Sequence, residues 1–479
     1  MIKLPPSFIT QLTILQQEGY SLTRFLSWWF HHPFTYTVTT KKTLVFTAKT
    51  KNLIRISLAL LAILTIISFY LKILFLTLIP PIIFLLEPFV FLSLSILIIT
   101  PYEKINRRRV VGVVRKEILS HKNLTTIGIT GSYGKTSVKD FLYTLLSGYQ
   151  ETLKTPESYN TVFGIAKVVN LELLSKTRFF ICEMGAYIRG EITELCRMVP
   201  PEYAILTAIG TQHLERFKSL TNTTQAKFEL VDATSKSRAL VNLDNLFIAE
   251  NLKQSRYRKV RTYSLRNPHA DFFVSQYTLS PQGTSFTLVH QGKSYSFKSS
   301  LFGTSNLYNL TAAISMSLML KVPLDIITGR LQFIKPSPHR LELKKINRAT
   351  LIDNAFSSNE EGFTAIIGDL QKLPGKKVLI TPGIIELGLK TVQVHQNLGS
   401  LSASVFDKFI LVGKSLRTLS FQQGLSSSSR QSHNASSSRK RESVSVFYIP
   451  NSTNLWPIID ELSREFDWIL LENDLPDSF

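Results

Sequence analysis

The feature that most constrains this 479-residue chain is a β-branched run joined to an amphipathic segment by a glycine turn. The run Thr125–Thr130 predicts a buried strand, residues 131–134 form the turn, and Lys135 begins a predicted helix. This order is typical of a phosphate-binding loop, because the turn's N–H groups and the helix dipole both face the anion. The sequence therefore predicts a nucleotide site in a strand–turn–helix unit.

Residue types within the loop indicate how it would hold a triphosphate. Lys135 is predicted to reach the β- and γ-phosphates, and the Thr136 hydroxyl to ligate Mg²⁺. The standard spacing places a glycine five residues before Gly134, where this chain has Ile129. A plain strand–turn–helix with a surface lysine is the alternative.

Charge and cysteine content narrow the possible partners. Lysine and arginine number 55 against 34 acidic residues, a net charge of +21, which suits nucleic acid, an anionic membrane surface or phosphorylated substrates. No nucleic acid is expected, because the basic residues cluster beside apolar runs and no recognition motif appears. The two cysteines, Cys182 and Cys196, provide neither a disulfide framework nor a set of metal ligands.

Two long apolar runs, residues 57–79 and 82–100, are separated by Pro80-Pro81. Each is close to the roughly 20 residues that cross a bilayer. Residues 56–101 are therefore predicted to be two transmembrane helices in contact with the lipid bilayer, and residues 1–55 a basic, aromatic juxtamembrane segment. Basic clusters at both ends place both flanks in the cytoplasm, which predicts attachment to the cytoplasmic membrane. A small globular N-terminal domain and a hairpin buried in a soluble core are the alternatives.

Further strands alternate with helices after the loop. Residues 178–186 and 203–210 predict buried strands that carry Glu183 and His213 at their carboxyl ends. This alternation implies a mainly parallel, doubly wound sheet, in which ligands bind at the carboxyl ends of strands. Glu183 and His213 are therefore candidate direct or water-bridged ligands of Mg²⁺.

Several ordered motifs resemble those of the Mur ligase family, most closely the MurF branch. They lie at residues 130–136, 183–192, 207–217, 226–229, 303–313, 339–342 and 351–354. The resemblance implies an α/β fold: a P-loop doubly wound central ATPase domain over residues 102–334 and a smaller Rossmann-like C-terminal α/β domain over residues 335–479. A transmembrane helical hairpin precedes them. Within the C-terminal domain, the serine-rich residues 423–442 predict a disordered insertion.

The resemblance also implies a reaction. ATP would activate a carboxylate as an acyl phosphate, an amine would attack it, and an amide, ADP and phosphate would result. The expected enzyme is an ADP-forming ligase that adds D-alanyl-D-alanine or a similar amine to a peptidoglycan precursor or a related anionic small molecule.

Site residues carry over from the family motifs one by one. The catalytic group would comprise Lys135, Lys227 and His213. The metal ligands would be Thr136, Glu183, His213 and Lys227, the last as a carbamate. The nucleotide would contact Gly131, Ser132, Gly134, Lys135, Thr136, Ser137, Asn306, Asn309, Arg340 and Asp353. A reduced substrate loop would consist of Tyr159, Asn160 and Thr161.

Departures from the family pattern keep other functions open. The membrane region stands where the family has its UDP-binding domain, and residues 353–360 differ from the branch's Asp-Asp-Ser-Tyr-Asn-Ala-Asn-Pro. The alternatives are a ligase for another carboxylate, such as a polyglutamate or a lipid-linked acceptor, and a membrane scaffold that binds nucleotide without turnover.

Overall fold

A computed structural model describes residues 4–32, 44–71, 77–157, 159–211, 214–356, 359–385, 387–432, 445–450 and 454–473. The chain divides into two compact units, Met1–Val110 and Val111–Phe479.

The first unit is helical. Its helices are α1 Pro6–Gln17, α2 Leu22–His31, α3 Ala48–Tyr70, α4 Ile79–Leu86 and α5 Phe89–Ser120, the last of which continues into the second unit. Two of them, α3 and α5, are long and apolar enough to cross a membrane by length and composition. In their most apolar 18-residue windows only 17% and 28% of the residues are buried. Most residues of these two windows are therefore not buried.

The predicted division of the apolar region at Pro80-Pro81 is wrong. Both prolines lie in the first turn of α4, and the chain leaves helical geometry at Glu87, just before Pro88. Proline is tolerated in a first turn because the N–H that it lacks would have no helical partner there. The long helices therefore cover residues 48–70 and 89–120 instead of residues 57–79 and 82–100.

One buried acidic side chain joins three helices of this unit. Glu87 follows α4 and is buried. Its Oε2 accepts hydrogen bonds from Gln11 Nε2 at 3.1 Å and from Trp29 Nε1 at 2.8 Å, which lie on α1 and α2. Ser57 and Ser95 form a buried hydrogen bond of 2.9 Å between α3 and α5. Such polar contacts are favourable where water is excluded.

The second unit begins with a nine-stranded sheet. The strands are β1 Thr125–Thr130, β2 Thr152–Lys154, β3 Phe179–Glu183, β4 Tyr203–Leu206, β5 Ala239–Asn242, β6 Arg261–Ser264, β7 Phe272–Ser280, β8 Gly283–His290 and β9 Lys293–Ser299. Their order is β2-β3-β1-β4-β5-β6-β7-β8-β9, parallel as far as β7, after which β8 and β9 add antiparallel pairs.

Helices cover this sheet. They are α6 Lys135–Leu146, α7 Val162–Glu172, α8 Glu191–Met198, α9 Leu214–Phe217, α10 Leu220–Ala233, α11 Leu246–Leu252, α12 Thr304–Met319 and α13 Leu324–Leu331. Short 3₁₀ helices lie at Lys236–Arg238 and Ser255–Tyr257. Strand β1 pairs with β3 on one side and β4 on the other, so the carboxyl ends of all three meet at one edge. That edge is the topological switch point, where doubly wound folds bind ligands.

A second, six-stranded sheet follows. Its strands are β10 Glu342–Ile346, β11 Ala349–Asn354, β12 Lys377–Thr381, β13 Lys408–Val412, β14 Ser445–Ile449 and β15 Trp468–Glu472. Its helices are α14 Glu360–Gln371, the 3₁₀ helix Gly388–Lys390, α15 Thr391–Ser402, α16 Leu416–Ser432 and α17 Trp456–Glu465. The order is β10-β11-β15-β12-β13-β14, with only the β10–β11 pair antiparallel among the described strands. The predicted α/β fold class, with a doubly wound central part and a smaller Rossmann-like part, is confirmed.

Two local predictions are wrong. Strand β4 ends at Leu206, so residues 207–211 form the loop over the switch point. Residues 423–432 of the predicted disordered insertion belong to α16, because Phe421 and Leu425 are buried against the C-terminal core and fix the start of that helix. Residues 433–442 lie outside the described part of the chain.

Candidate nucleotide and metal site

The turn between β1 and α6 is built so closely that only glycine fits at two of its positions. A Cβ at Gly131 would lie 2.0 Å from Thr207 Oγ1, and one at Gly134 would lie 2.5 Å from Asn309 Oδ1. Gly134 also has a φ of +81°, a backbone conformation that is strained for residues with a side chain. These glycines bring the backbone of the loop against β4 and α12.

The loop is tied to the segment after β4. Ser132 N–H donates to Ala208 O at 2.8 Å, and Gly210 N–H donates to Ser132 Oγ at 3.0 Å. The turn and the β4–α9 connection therefore form one rigid wall at the carboxyl edge of the sheet.

Lys135 is half-buried at the start of α6. Its ammonium donates to Gly131 O at 2.7 Å and to Ser132 O at 3.1 Å, so it lies directly under the turn. Burial lowers the pKa of Lys135 to about 8, with Glu183 opposing the shift and Arg340 adding to it. A desolvated ammonium in this position provides the positive charge that a phosphate needs.

Glu183, at the end of β3, accepts three hydrogen bonds from side chains. Thr136 Oγ1 donates to Oε2 at 3.0 Å, Lys139 Nζ donates to Oε2 at 3.2 Å, and Asn160 Nδ2 donates to Oε1 at 3.1 Å. The predicted residues Thr136, Glu183 and Asn160 are thus brought together. Lys139 was not predicted, although its position four residues after Lys135 places it on the same face of the helix.

The donor set of Glu183 and Thr136 fits a magnesium ion. Mg²⁺ prefers oxygen ligands at about 2.1 Å in octahedral geometry, so adjacent ligand oxygens are about 3.0 Å apart. The Thr136 hydroxyl and the Glu183 carboxylate have this separation, 3.0 Å. The pair needs little rearrangement to become two neighbouring ligands.

Lys227 is buried on α10. Burial, aided by the charge of Lys135, lowers the pKa of Lys227 to about 7, while Glu191 and Glu229 oppose the shift. A large fraction of this lysine is therefore a neutral amine near pH 7, the form that reacts with CO₂. Glu229, two residues later, accepts the Gly190 N–H at 2.7 Å and so ties α10 to the start of α8.

The predicted substrate loop packs onto this site. Gly185 N–H donates to Asn160 O at 3.1 Å, and the Thr161 side chain caps α7 by accepting the Gly164 N–H. Lys167 Nζ lies 5.7 Å from the centre of the Tyr159 ring. The prediction for His213 concerns a residue outside the described part of the chain.

A cavity of about 840 Å³ opens beside the loop, between the two sheets of the second unit. The predicted nucleotide residues on its wall are Gly134, Ser137, Asn306, Asn309 and Arg340. Phe356 is also on the wall, with its ring centre 4.9 Å from the Arg340 guanidinium carbon.

Asp353 is placed differently from these residues. It is buried and lies outside the cavity wall, where its Oδ2 accepts Lys344 Nζ at 2.9 Å and is 2.8 Å from His339 Nδ1. The neighbouring Asn354 does line the cavity.

A contact across the cavity joins the two sheets. Asp369 of α14 accepts the Thr304 N–H at 2.7 Å and the Thr304 hydroxyl at 2.6 Å, and so caps the start of α12. The residue before Thr304 is Gly303, which has no side chain to accept a hydrogen bond from the first turn of the helix. Asp369 provides this cap instead.

Comparisons with known proteins agree with this geometry. Residues 129–317 match the family model described as Mur ligase middle domain. The UDP-N-acetylmuramoyl-tripeptide–D-alanyl-D-alanine ligase of Escherichia coli K12 is 30% identical over 302 residues, which cover 62% of this chain and 67% of the relative. Its counterpart in Bacillus subtilis is 28% identical over 304 residues, covering 62% of this chain and 65% of the relative.

Solved structures share the fold. MurF from Acinetobacter baumannii aligns with a TM-score of 0.66 at 24% identity and covers 78% of each chain. MurF from Thermotoga maritima in complex with ADP aligns with a TM-score of 0.65 at 21% identity, covering 77% of this chain and 80% of the other.

Proposed function

The chain belongs to the Mur ligase family, and from that premise we propose that it joins D-alanyl-D-alanine to the carboxylate of a UDP-N-acetylmuramoyl-tripeptide at the expense of ATP. The observation that carries the proposal is the pair of oxygens from Thr136 and Glu183, 3.0 Å apart beside a phosphate-binding loop. It supplies a metal position next to the place where a γ-phosphate would lie.

The chemistry requires activation, because a carboxylate is a poor acyl donor. A carboxylate oxygen attacks the γ-phosphorus, the bond to the β-phosphate oxygen breaks, and ADP leaves. The amine nitrogen then attacks the acyl carbon, the C–O bond to phosphate breaks, and an amide and phosphate result once the nitrogen has lost its proton. Most of the enzyme's contribution is positioning and the neutralisation of negative charge.

Each part of the site has a role in this scheme. Lys135 and the loop N–H groups bind the β- and γ-phosphates. Thr136 and Glu183, with His213 and Lys227 as a carbamate, would hold Mg²⁺, which would supply positive charge to neutralise the phosphates. Asn306, Asn309 and Arg340, which line the cavity, would contact the nucleotide. Asp353 acts through Lys344 and His339, which its carboxylate holds in place.

The apolar helices of the first unit suit a membrane anchor. Large exposed apolar patches mark contact with a partner or a bilayer, and α3 and α5 carry many exposed large apolar side chains. We place residues 56–101 in the cytoplasmic membrane with the second unit in the cytoplasm, where ATP is available. The same exposed surface favours a second candidate, in which the carboxylate acceptor is lipid-linked.

Phosphate release tests the proposal. The full chain in detergent is incubated with Mg-ATP, UDP-N-acetylmuramoyl-tripeptide and D-alanyl-D-alanine, with Lys135→Ala as the control. We expect release that needs both substrates, an amide product of matching mass, and none from the control. Release only with a lipid-linked acceptor would favour the second candidate, and release that needs no amine would contradict both.

A further inference from the structure

Glu361 reaches the phosphate-binding loop from the second sheet. It lies in the first turn of α14 and lines the cavity. Both oxygens of its carboxylate would be 3.0 Å from a Cβ built on Gly210, whose N–H is bonded to Ser132 of the loop. The Tyr133 ring approaches the same point. The carboxylate therefore lies directly beside the loop.

One oxygen of this carboxylate lacks a hydrogen-bond donor among the residues that the structure describes. Glu361 Oε2 is buried, and none of the described residues donates a hydrogen bond to it. A buried acceptor without a donor is unfavourable, and more so when it is charged, so it does not stabilise the fold. Burial raises the pKa of Glu361, which agrees with a carboxylate that lacks its counterpart. A ligand that donates hydrogen bonds would satisfy it.

The surroundings indicate the charge of that ligand. A phosphate-binding loop receives anions, and a second negative charge beside it would repel them. A cation between the carboxylate and the phosphates removes this conflict. In the proposed reaction one organic substrate carries an ammonium group, because an α-amino group with a pKa near 8 is largely protonated at neutral pH.

A positive side chain lies on the same wall. Lys390 ends the 3₁₀ helix Gly388–Lys390, lines the cavity and is close enough for its charge to act on Glu361. An amino acid or short peptide is an ammonium at one end and a carboxylate at the other. Glu361 offers a negative charge for the ammonium end, and Lys390 offers a positive charge for the carboxylate end.

We propose that Glu361 binds the ammonium group of the amine substrate and Lys390 binds its carboxylate, an inference that rests on the proposed ligase function. The site then takes a zwitterionic amino acid or dipeptide and delivers its nitrogen beside the phosphate-binding loop. Glu361 is a binding residue that prepares the second half of the reaction. A competing occupant for the same carboxylate is a ribose hydroxyl of the nucleotide.

Steady-state kinetics of Glu361→Gln in the full chain tests the assignment. The variant keeps the shape of the side chain but loses the charge, and a hydrogen bond to a charged group is worth about 1.5–3 kcal/mol. We expect KM for D-alanyl-D-alanine to rise about 10- to 100-fold, with KM for ATP within about threefold of the wild type. Glu461→Gln, a charge loss on the exposed side of α17, should leave both constants unchanged.

An analogue without the ammonium group distinguishes loss of the ammonium contact from a general disturbance of the binding site. D-lactoyl-D-alanine has a hydroxyl where the dipeptide has its ammonium group. As an inhibitor it should bind the wild type more weakly than the dipeptide does, and Glu361→Gln should remove most of that difference. Lys390→Met should instead weaken the dipeptide and the analogue equally, because both keep the carboxylate.

Each remaining outcome decides against the inference. If Glu361→Gln raises KM for ATP and leaves KM for the amine unchanged, the carboxylate binds the nucleotide. If neither constant changes, the site is not used by substrate. If the wild type turns over no amine at all, the proposed function fails and this inference fails with it. Glu361→Gln should unfold at a temperature no lower than Glu461→Gln does, so misfolding would be recognised.

Discussion

At the scale of single residues, the site depends on charges that are taken out of water. Lys139 and Glu183 form an ion pair behind the phosphate-binding loop, with side chains 0% and 1% exposed. Lys139 also donates to Glu157 O. Glu183 can therefore carry its charge in the interior and present the same Oε2 to the Thr136 hydroxyl. Lys139 therefore positions the carboxylate that we propose as a metal ligand.

Removing this lysine should destabilise the protein strongly. Lys139→Met leaves Glu183 as an unpaired buried charge, which costs about 3–5 kcal/mol of the free energy of unfolding. The double variant Lys139→Met/Glu183→Gln removes both charges and should recover most of that loss. Urea unfolding of the detergent-solubilised chain measures the free energy of unfolding of the single and the double variant.

The matched control is a partly exposed ion pair that joins the same helix, α6, to strand β2. Lys154→Met breaks the ion pair with Asp140, whose side chains are 31% and 25% exposed, and should cost less than about 1 kcal/mol. Equal losses for the two single variants would contradict a special role for the buried pair.

A second residue-scale prediction concerns Lys227. Because burial lowers its pKa to about 7, the neutral amine predominates above pH 7 and forms a carbamate with dissolved CO₂. Carbon-13 NMR after equilibration with labelled bicarbonate should show a carbamate resonance that fades as pH falls below 7, where the lysine is protonated. The resonance should be missing in Lys227→Ala and retained in Lys236→Ala, which changes a lysine at the surface of the same region. A resonance that persists in Lys227→Ala would contradict the assignment.

At the scale of elements, α15 and α16 pack backbone to backbone. A Cβ at Gly399 of α15 would lie 2.1 Å from Phe421 O of α16, and one at Gly424 of α16 would lie 2.1 Å from Gln396 O of α15. The two glycines thus let each helix enter the groove of the other. This reciprocal contact holds α16 in place, which explains why the chain stays helical into the serine-rich stretch.

Adding one methyl group should separate these helices. Gly399→Ala forces backbone atoms apart and should lower the free energy of unfolding by at least about 2 kcal/mol. Gly329→Ala, in α13 with no atom within 4 Å of the added Cβ, should be neutral or raise it by up to about 1 kcal/mol. Circular dichroism melts of the two variants measure the difference, and similar melting temperatures would show that α15 and α16 adjust to the added carbon.

Elements that are determined by local sequence were predicted well. Strand β1 has its predicted bounds and helix α6 begins at Lys135 as predicted, because hydrophobic period and glycine positions specify them locally. Contacts between distant residues were not predicted. Thr304 and Asp369 are 65 residues apart in sequence, and no local pattern shows that one will cap the helix of the other. The buried pair Lys139–Glu183 and the unpaired Glu361 were missed for the same reason.

At the scale of the whole molecule, the chain combines the α/β fold of its second unit with helices of its first unit that expose apolar side chains. Residues such as Ile66, Phe69 and Leu97 are more than half exposed on α3 and α5. A soluble core would bury such residues, whereas a bilayer would cover them. The catalytic part is therefore expected to work at a membrane surface.

Membrane extraction tests this expectation. In membranes from cells that express the full chain, alkaline carbonate should leave the protein in the pellet, and detergent should release it. Substituting Ile66 and Leu97 with aspartate should shift the chain into the soluble or degraded fraction, because a charge at the centre of a span costs about 2.5–3.5 kcal/mol. Release of the unchanged chain by carbonate would mean that the two helices are covered by protein.

The contacts of Glu87 have a consequence for synthesis. Its two donors, Gln11 and Trp29, precede it by 76 and 58 residues. A ribosome therefore completes both donors before it makes the acceptor, so the carboxyl group can meet its partners as soon as it leaves the ribosome. The order of residues along the chain thus favours the helices of the first unit assembling as they are made.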